Sequence, residues 1–192
     1  MSAEPWDESY AADYDPYGYA VDERQSERYR WQLAALGDGH FGRGLELACS
    51  IGVLTTLLAD RCDEVLAVDV SEVAVERARR RLATRPAVTV EQRTLPADWP
   101  AGEFDLIVAS DVFCYWTPGL VREGVRRCED SLAPGGVLLV SNWLPFTPTH
   151  ALSGDAVHRI VRRTTTLERD RSDRHGEHRL DCFVKAPRPE PR

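Results

Sequence analysis

The chain has 192 residues, 43% of them hydrophobic and 29% charged, which fits one globular domain with a full core and excludes a disordered or fibrous chain. Its net charge of −7 argues against nucleic acid as a partner. No apolar run approaches the roughly 20 residues that cross a bilayer, so no membrane is implied.

Five cysteines (Cys49, Cys62, Cys114, Cys128, Cys182) are scattered without a C-x-x-C pair. That spacing argues against a structural zinc site and for reduced thiols in the cytoplasm. The first 20 residues are acidic and aromatic, unlike a secretory signal. Trp6, Tyr10, Tyr14, Tyr17 and Tyr19 are too many aromatics for a disordered tail, so this segment is expected to fold as a flap against something. Tyr29, Leu33 and Leu36 recur at helical spacing from Asp22 to Leu36, and Gly37-Asp38-Gly39 ends that helix.

Gly44-Leu45-Glu46-Leu47 reads as a short apolar strand carrying an acid. Ala48, Cys49, Ser50 and Gly52 then form a turn of small residues, and a helix resumes from about Val53. Small side chains let a ligand approach the backbone closely, beside the free amides of a helix start. A second strand, Glu64 to Val70, carries Asp69 at its end, at the spacing of a ribose-binding carboxylate. A dinucleotide fingerprint needs G-x-G-x-x-G, and this turn has Gly52 alone, so NAD is disfavoured.

Ser71 is placed to cap a helix from Glu72 to Leu82. Val88 to Gln92 is a third strand, followed by a loop through Pro96, Trp99 and Pro100. Phe104 to Asp111 is a fourth, a helix runs from Leu120 to Leu132, and Ala133-Pro134-Gly135-Gly136 reads as a turn before a fifth strand, Val137 to Asn142. Strands alternating with helices imply a parallel sheet with right-handed crossovers. Ser153-Gly154-Asp155 starts a short helix to about Arg163, and Thr165–Arg171 with His178–Val184 read as an antiparallel hairpin. The arginines of this region alternate with acids, as on a solvated face.

The order acid-x-small-x-small-x-Gly from Glu46, with Asp69, Phe104-Asp105-Leu106-Ile107 and Leu132-Ala133-Pro134-Gly135-Gly136-Val137-Leu138, resembles the class I S-adenosylmethionine (SAM) methyltransferases over about residues 42–142. Ser110-Asp111-Val112-Phe113-Cys114-Tyr115 and Gly154-Asp155-Ala156-Val157-His158 look more narrowly like NodS-type N-methyltransferases, which methylate an amine on a deacetylated chito-oligosaccharide. The resemblance implies an α/β fold with a Rossmann-like, doubly wound, seven-stranded sheet, mostly parallel with an antiparallel C-terminal hairpin. Its domains would be a flap and helix over the cofactor (1–36), the methyltransferase domain (37–186) and a tail (187–192).

The resemblance also assigns residues. SAM would be held by Glu46, Ala48, Cys49, Ser50, Gly52, Asp69, Val70, Thr94, Leu95 and Ser110, leaving S-adenosylhomocysteine as product. The family usually has glycine where this chain has Ala48 and Ser50, which removes φ > 0 freedom, and an acid where Thr94 stands; Asp98 could substitute for it. Asp111 and His158 are the candidate proton acceptors for a substrate amine; a loop acid without a role and a structural histidine are the alternatives. Tyr14, Tyr115 and Trp143, with Tyr10, are candidates for lining the sulfonium and the substrate, against plain packing. Cys49 fits packing better than nucleophilic attack.

Methyl transfer from a sulfonium is an in-line displacement that requires no metal. The expectation is a cytoplasmic enzyme, monomer or homodimer, that methylates an amine of a small molecule such as an amino sugar. The rivals are an O-methyltransferase of a small acceptor and a SAM-fold binding protein without turnover.

Overall fold

The computed structural model describes residues 2–188; Met1 and the last four residues of the expected tail lie outside the described residues. Residues up to Trp99 form one compact unit and those from Pro100 a second. The first holds α1 (Glu4–Ala12), α2 (Glu23–Ala35), β1 (Phe41–Leu47), α3 (Val53–Leu58), β2 (Cys62–Asp69), α4 (Glu72–Arg81) and β3 (Val88–Gln92). The second holds β4 (Phe104–Ser110), a 3-10 turn (Phe113–Tyr115), α5 (Pro118–Ser131), β5 (Leu132–Trp143), α6 (Gly154–Thr164), β6 (Glu168–His175) and β7 (His178–Val184).

The strands make a seven-stranded sheet in the order β3-β2-β1-β4-β5-β7-β6. β1 pairs in parallel with β2, β2 with β3 and β4 with β5, while β7 runs antiparallel to both β5 and β6. The expected Rossmann-like sheet with its antiparallel hairpin is therefore present. Apolar runs dictate it: Leu106, Ile107, Val108 and Ala109 of β4 are buried on both faces, as in a strand covered by helices. Capping residues set the helix starts. Ser71 Oγ accepts from Ala74 N at 3.1 Å, and Ser153 Oγ accepts from Ala156 N at 3.3 Å, each satisfying an otherwise orphaned amide.

Three elements depart from the expectation. The N-terminal flap contains a helix, α1, with Pro5 in its first turn, where a missing N–H costs nothing. Ala133 to Gly136, expected as a turn, falls within β5 as an irregularity, since the pairing with β4 jumps from Phe104↔Leu132 to Leu106↔Val137. Here Gly136 is required by space, because a Cβ would stand 2.8 Å from the Ala133 carbonyl oxygen. In the hairpin β7 has its expected bounds, while β6 begins later than expected and runs on to His175, so the turn is reduced to Gly176 and Glu177.

The segment after β1 keeps the glycine-type backbone without the glycines. Ala48 and Ser50 have φ of 59° and 52°, and Gly52 follows at 78°. The left-handed region costs an L-residue about 1–2 kcal/mol. The substitutions therefore changed side chains and left the path of the chain in place, at a conformational cost.

That cost can be read directly. Ala48→Gly is expected to raise stability by about 0.5–1 kcal/mol, since relief of the left-handed strain exceeds the extra unfolded-state entropy of glycine. In a chain of this size that is a rise in Tm of about 2–4 °C per kcal/mol. Gly52→Ala should lower Tm, because its Cβ would meet Leu82 Cδ1 at 3.0 Å and Ala78 Cβ at 3.1 Å. Thermal denaturation of both variants checks the pair, and a lowered Tm for Ala48→Gly would show the turn to be unstrained.

Candidate active site

Asp69 at the end of β2 ties the first unit's site together. One carboxylate oxygen accepts from Ser50 N at 2.8 Å and the other from Ser71 N at 2.9 Å. The acid thus clamps the turn after β1 to the start of α4. Burial raises its pKa, and the amides of Ser71, Ser50 and Val70 pull the other way. Three amides share the roughly four lone-pair sites of the carboxylate, so a hydroxyl donor can still be accommodated.

Glu46 lies inside β1 and is only 3% exposed. Thr55 Oγ1 of α3 donates to its Oε2 at 2.5 Å. Burial pushes its pKa from 4.5 up to about 8, eased by Thr55 and reinforced by the charge of Asp69, so the acid carries its proton at neutral pH. α3 has only six residues, so its dipole adds little to ligand binding.

The Cys49 side chain lies in the core, the packing role expected of it over nucleophilic attack. It packs into a cluster with Ala67, Val75, Ala78, Leu82 and Val90, and burial raises its thiol pKa far above the ordinary range. Such a thiol is an inert packing group. The Val70 carbonyl accepts from Gln92 Nε2 at 3.1 Å. Thr94 is exposed and Leu95 buried. Asp98 is engaged elsewhere, accepting from Arg93 Nη1 at 2.8 Å, and so is not held ready to replace the missing acid at Thr94.

The flap reaches this turn through Tyr10 rather than Tyr14. The Tyr10 hydroxyl and Ser50 Oγ share a hydrogen bond at 2.5 Å, in a nest of Ile51 and Ala74 flanked by Trp6, Tyr17, Val53 and Val73. Asp7 adds a second latch, accepting from Ser71 Oγ at 2.6 Å. Tyr14, expected against the substrate, is 55% exposed, with the Arg77 guanidinium 4.8 Å from its ring centroid. α1 is amphipathic in its contacts, and Tyr14 lies beyond its end; the aromatic count did not separate the two tyrosines.

In the second unit Asp111 follows β4 with φ of 52°. Its N–H donates to Ser141 O at 2.8 Å and its Oδ1 accepts from Trp143 N at 2.7 Å, so the residue is spanned between the ends of β4 and β5. Ser110 pairs with Ser141 one position earlier. The Trp143 indole N–H donates to Glu177 Oε2 at 3.3 Å. Tyr115 and Trp143 come together around a residue that sequence reasoning missed, His150. The imidazole is perpendicular to both rings, with centroids 5.0 Å from Tyr115 and 6.2 Å from Trp143. His150 lies in a loop with no motif around it, so only the fold reveals it.

His158 lies on α6, the short helix expected to carry it. It is 1% exposed, with Nδ1 2.6 Å from Asp181 Oδ2 of β7. Burial works against the charge of Asp181, but His158, Ser172 and Arg179 hold its carboxyl down to about 2. The pair joins α6 to β7 inside the core. A histidine so enclosed holds two elements in register and is not open to a substrate. Among the described residues no group of histidine, cysteine and acidic side chains could hold a metal ion, and no helix is long and apolar enough to cross a membrane.

Comparison with known proteins agrees with this geometry. A methyltransferase domain family matches residues 45–138. The crystal structure of a candidate methyltransferase from Pseudomonas syringae is 34% identical over 85% of this chain and the whole of that one, with a TM-score of 0.76. Nodulation protein S of Bradyrhizobium diazoefficiens is 28% identical over 127 residues, 65% of this chain and 61% of that protein, so the chain spans less than two thirds of its length. The N-methyltransferase NodS of Bradyrhizobium japonicum, solved with S-adenosylhomocysteine, shares the fold across 96% of this chain and 99% of its own, at 23% identity and a TM-score of 0.85. With the turn, its acid clamp and the sheet order in place, the chain belongs to the SAM-dependent methyltransferases, with NodS among its relatives.

Proposed function

We propose that the protein transfers the methyl group of SAM to an amine of a small molecule, an amino sugar or glycoside in character. The observation that carries the acceptor reading is the cluster of Asp111, Tyr115 and Trp143. A carboxylate and aromatic faces suit a nitrogen that carries or develops positive charge. A phenolate or carboxylate acceptor would instead meet repulsion from Asp111. The relationship to NodS, named as an N-methyltransferase, supports the same choice.

In the first unit Asp69 would take a ribose hydroxyl on its remaining lone pair, and Glu46 would meet the ammonium of the cofactor's methionine portion. The left-handed turn of Ala48, Ser50 and Gly52 leaves only small side chains in the way. The backbone of Val70 and Leu95 and the hydroxyl of Thr94 complete the proposed adenosine side. SAM supplies an activated methyl; the chain supplies position and charge. His158 acts in this reading by holding α6 on β7 and not as the proton acceptor.

Radiolabelled SAM offered with fully deacetylated chitotetraose and with a phenol tests the acceptor class. Label in the amine acceptor is expected; label in the phenol alone would transfer the reading to oxygen, and SAM binding without any transfer would favour a binding protein.

Two variants test the donor side. Asp69→Asn should weaken S-adenosylhomocysteine binding by about 1.5–3 kcal/mol, the worth of hydrogen bonds to a charged acceptor. Unchanged affinity by calorimetry would remove Asp69 from the site.

Glu46 makes a proton-linkage prediction. Its folded pKa of about 8 lies above the ordinary 4.5, so at pH 7 the free protein holds a proton there. An ammonium placed beside it lowers that pKa, and ligand binding should release a proton. Calorimetric enthalpies at pH 7 should therefore vary with the ionisation enthalpy of the buffer for the wild type and not for Glu46→Gln. Its stability contribution follows the same sign: present below about pH 4.5, it is lost as pH rises toward 8. Buffer-independent enthalpies in the wild type would place the ammonium elsewhere.

A further inference from the structure

The loop between β5 and α6 is tied down on both sides of His150. Leu144 N donates to Glu177 O at 2.8 Å, and Ala151 N and Leu152 N both donate to Cys114 O, at 2.9 and 3.0 Å. His150 N itself donates to Thr147 O at 3.0 Å. The ring is then fixed by two perpendicular aromatic neighbours, Tyr115 from the 3-10 turn and Trp143 from β5. A histidine held this firmly normally satisfies its nitrogens within the fold. Here Nδ1 is buried and bonds no other described group. A buried ring nitrogen without a partner costs free energy, and such costs persist where a ligand uses the group.

The electrical surroundings are also organised. Burial lowers the pKa of the ring and Asp111 opposes that shift. The first effect keeps the imidazole neutral near pH 7, the form that accepts a proton; the second supports the imidazolium once formed. The titratable and charged groups around it are Asp111 after β4, Tyr115 on the 3-10 turn and, behind Trp143, Glu177 between β6 and β7.

We propose that His150 is the proton acceptor for the acceptor amine, with Asp111 as the charge that steadies the imidazolium. This rests on the reading of the protein as an amine methyltransferase. An ammonium has no lone pair and cannot attack. In the first step one N–H bond of the substrate ammonium breaks, its electron pair stays on nitrogen, and the proton passes to a ring nitrogen of His150. In the second, that lone pair forms the N–CH3 bond while the S–CH3 bond of SAM breaks and its electrons return to sulfur as a neutral thioether. The methylated ammonium leaves, and the imidazolium gives its proton to water.

The test is the pH dependence of turnover with radiolabelled SAM and fully deacetylated chitotetraose, for the wild type, His150→Phe and His150→Gln. Phenylalanine keeps the ring packing against Tyr115 and Trp143, and glutamine keeps polarity. Both should lower kcat about a hundredfold at pH 6.5, as removal of a general base does, with the KM for SAM within twofold of wild type. At pH 9.5 the amine is neutral without help, so the deficit should shrink to a few-fold. A lost packing contact would leave the deficit equal at both pH values, and that result, or full activity at pH 6.5, overturns the role of His150. No turnover of the amine by the wild type, with transfer to a phenol instead, overturns the amine reading itself and this inference with it.

Discussion

The clamp made by Asp69 is the constraint on which the first unit depends. One carboxylate receives the amide of Ser50 and the amide of Ser71, and so joins the end of β2 to the turn after β1 and to the start of α4. Ser50 in turn holds Tyr10, and Ser71 holds Asp7, so α1 is latched to the same two points that the acid controls. The strained φ angles of Ala48 and Ser50 persist because these bonds over-determine the path. The turn after β1 and α1 therefore share one structural support.

Burial of polar groups follows two different logics in this chain. Asp181 and His158 are enclosed together, and the carboxyl is held near a pKa of 2 by its neighbours, so the Nδ1–carboxylate bond acts as a staple although Nε2 of the ring bonds no other described group. Glu46 is neutral by burial and by the neighbouring charge of Asp69, against the pull of the Thr55 hydroxyl. A paired buried charge is structural material, whereas a buried acid kept uncharged by its surroundings is poised to respond to a cation. Asp111 is only half-buried and follows neither logic: one oxygen accepts from Trp143 N, and its charge reaches His150.

Much of this architecture was legible from residue patterns. The bounds of β3, the start of α3 at Val53 and the caps at Ser71 and Ser153 follow from apolar runs and hydroxyl placement, and they stand where periodicity puts them. α1 was not, because its apolar face is carried by Trp6 and Tyr10 among acids and becomes apparent only against Ile51 and Ala74. The site was half legible. Motif order finds Glu46 and Asp69, but a motif cannot say that Cys49 turns into the core or that His158 finds Asp181 twenty-three residues later. His150 left no trace in local sequence, since its importance comes from Tyr115 and Trp143 on separate elements.

A crystal structure of the protein with S-adenosylhomocysteine tests the central claim most directly. The account predicts a ribose hydroxyl on Asp69, the methionine ammonium beside Glu46, and positive φ retained at Ala48 and Ser50. A ligand bound away from Asp69, or a turn relaxed to negative φ around it, would contradict the account.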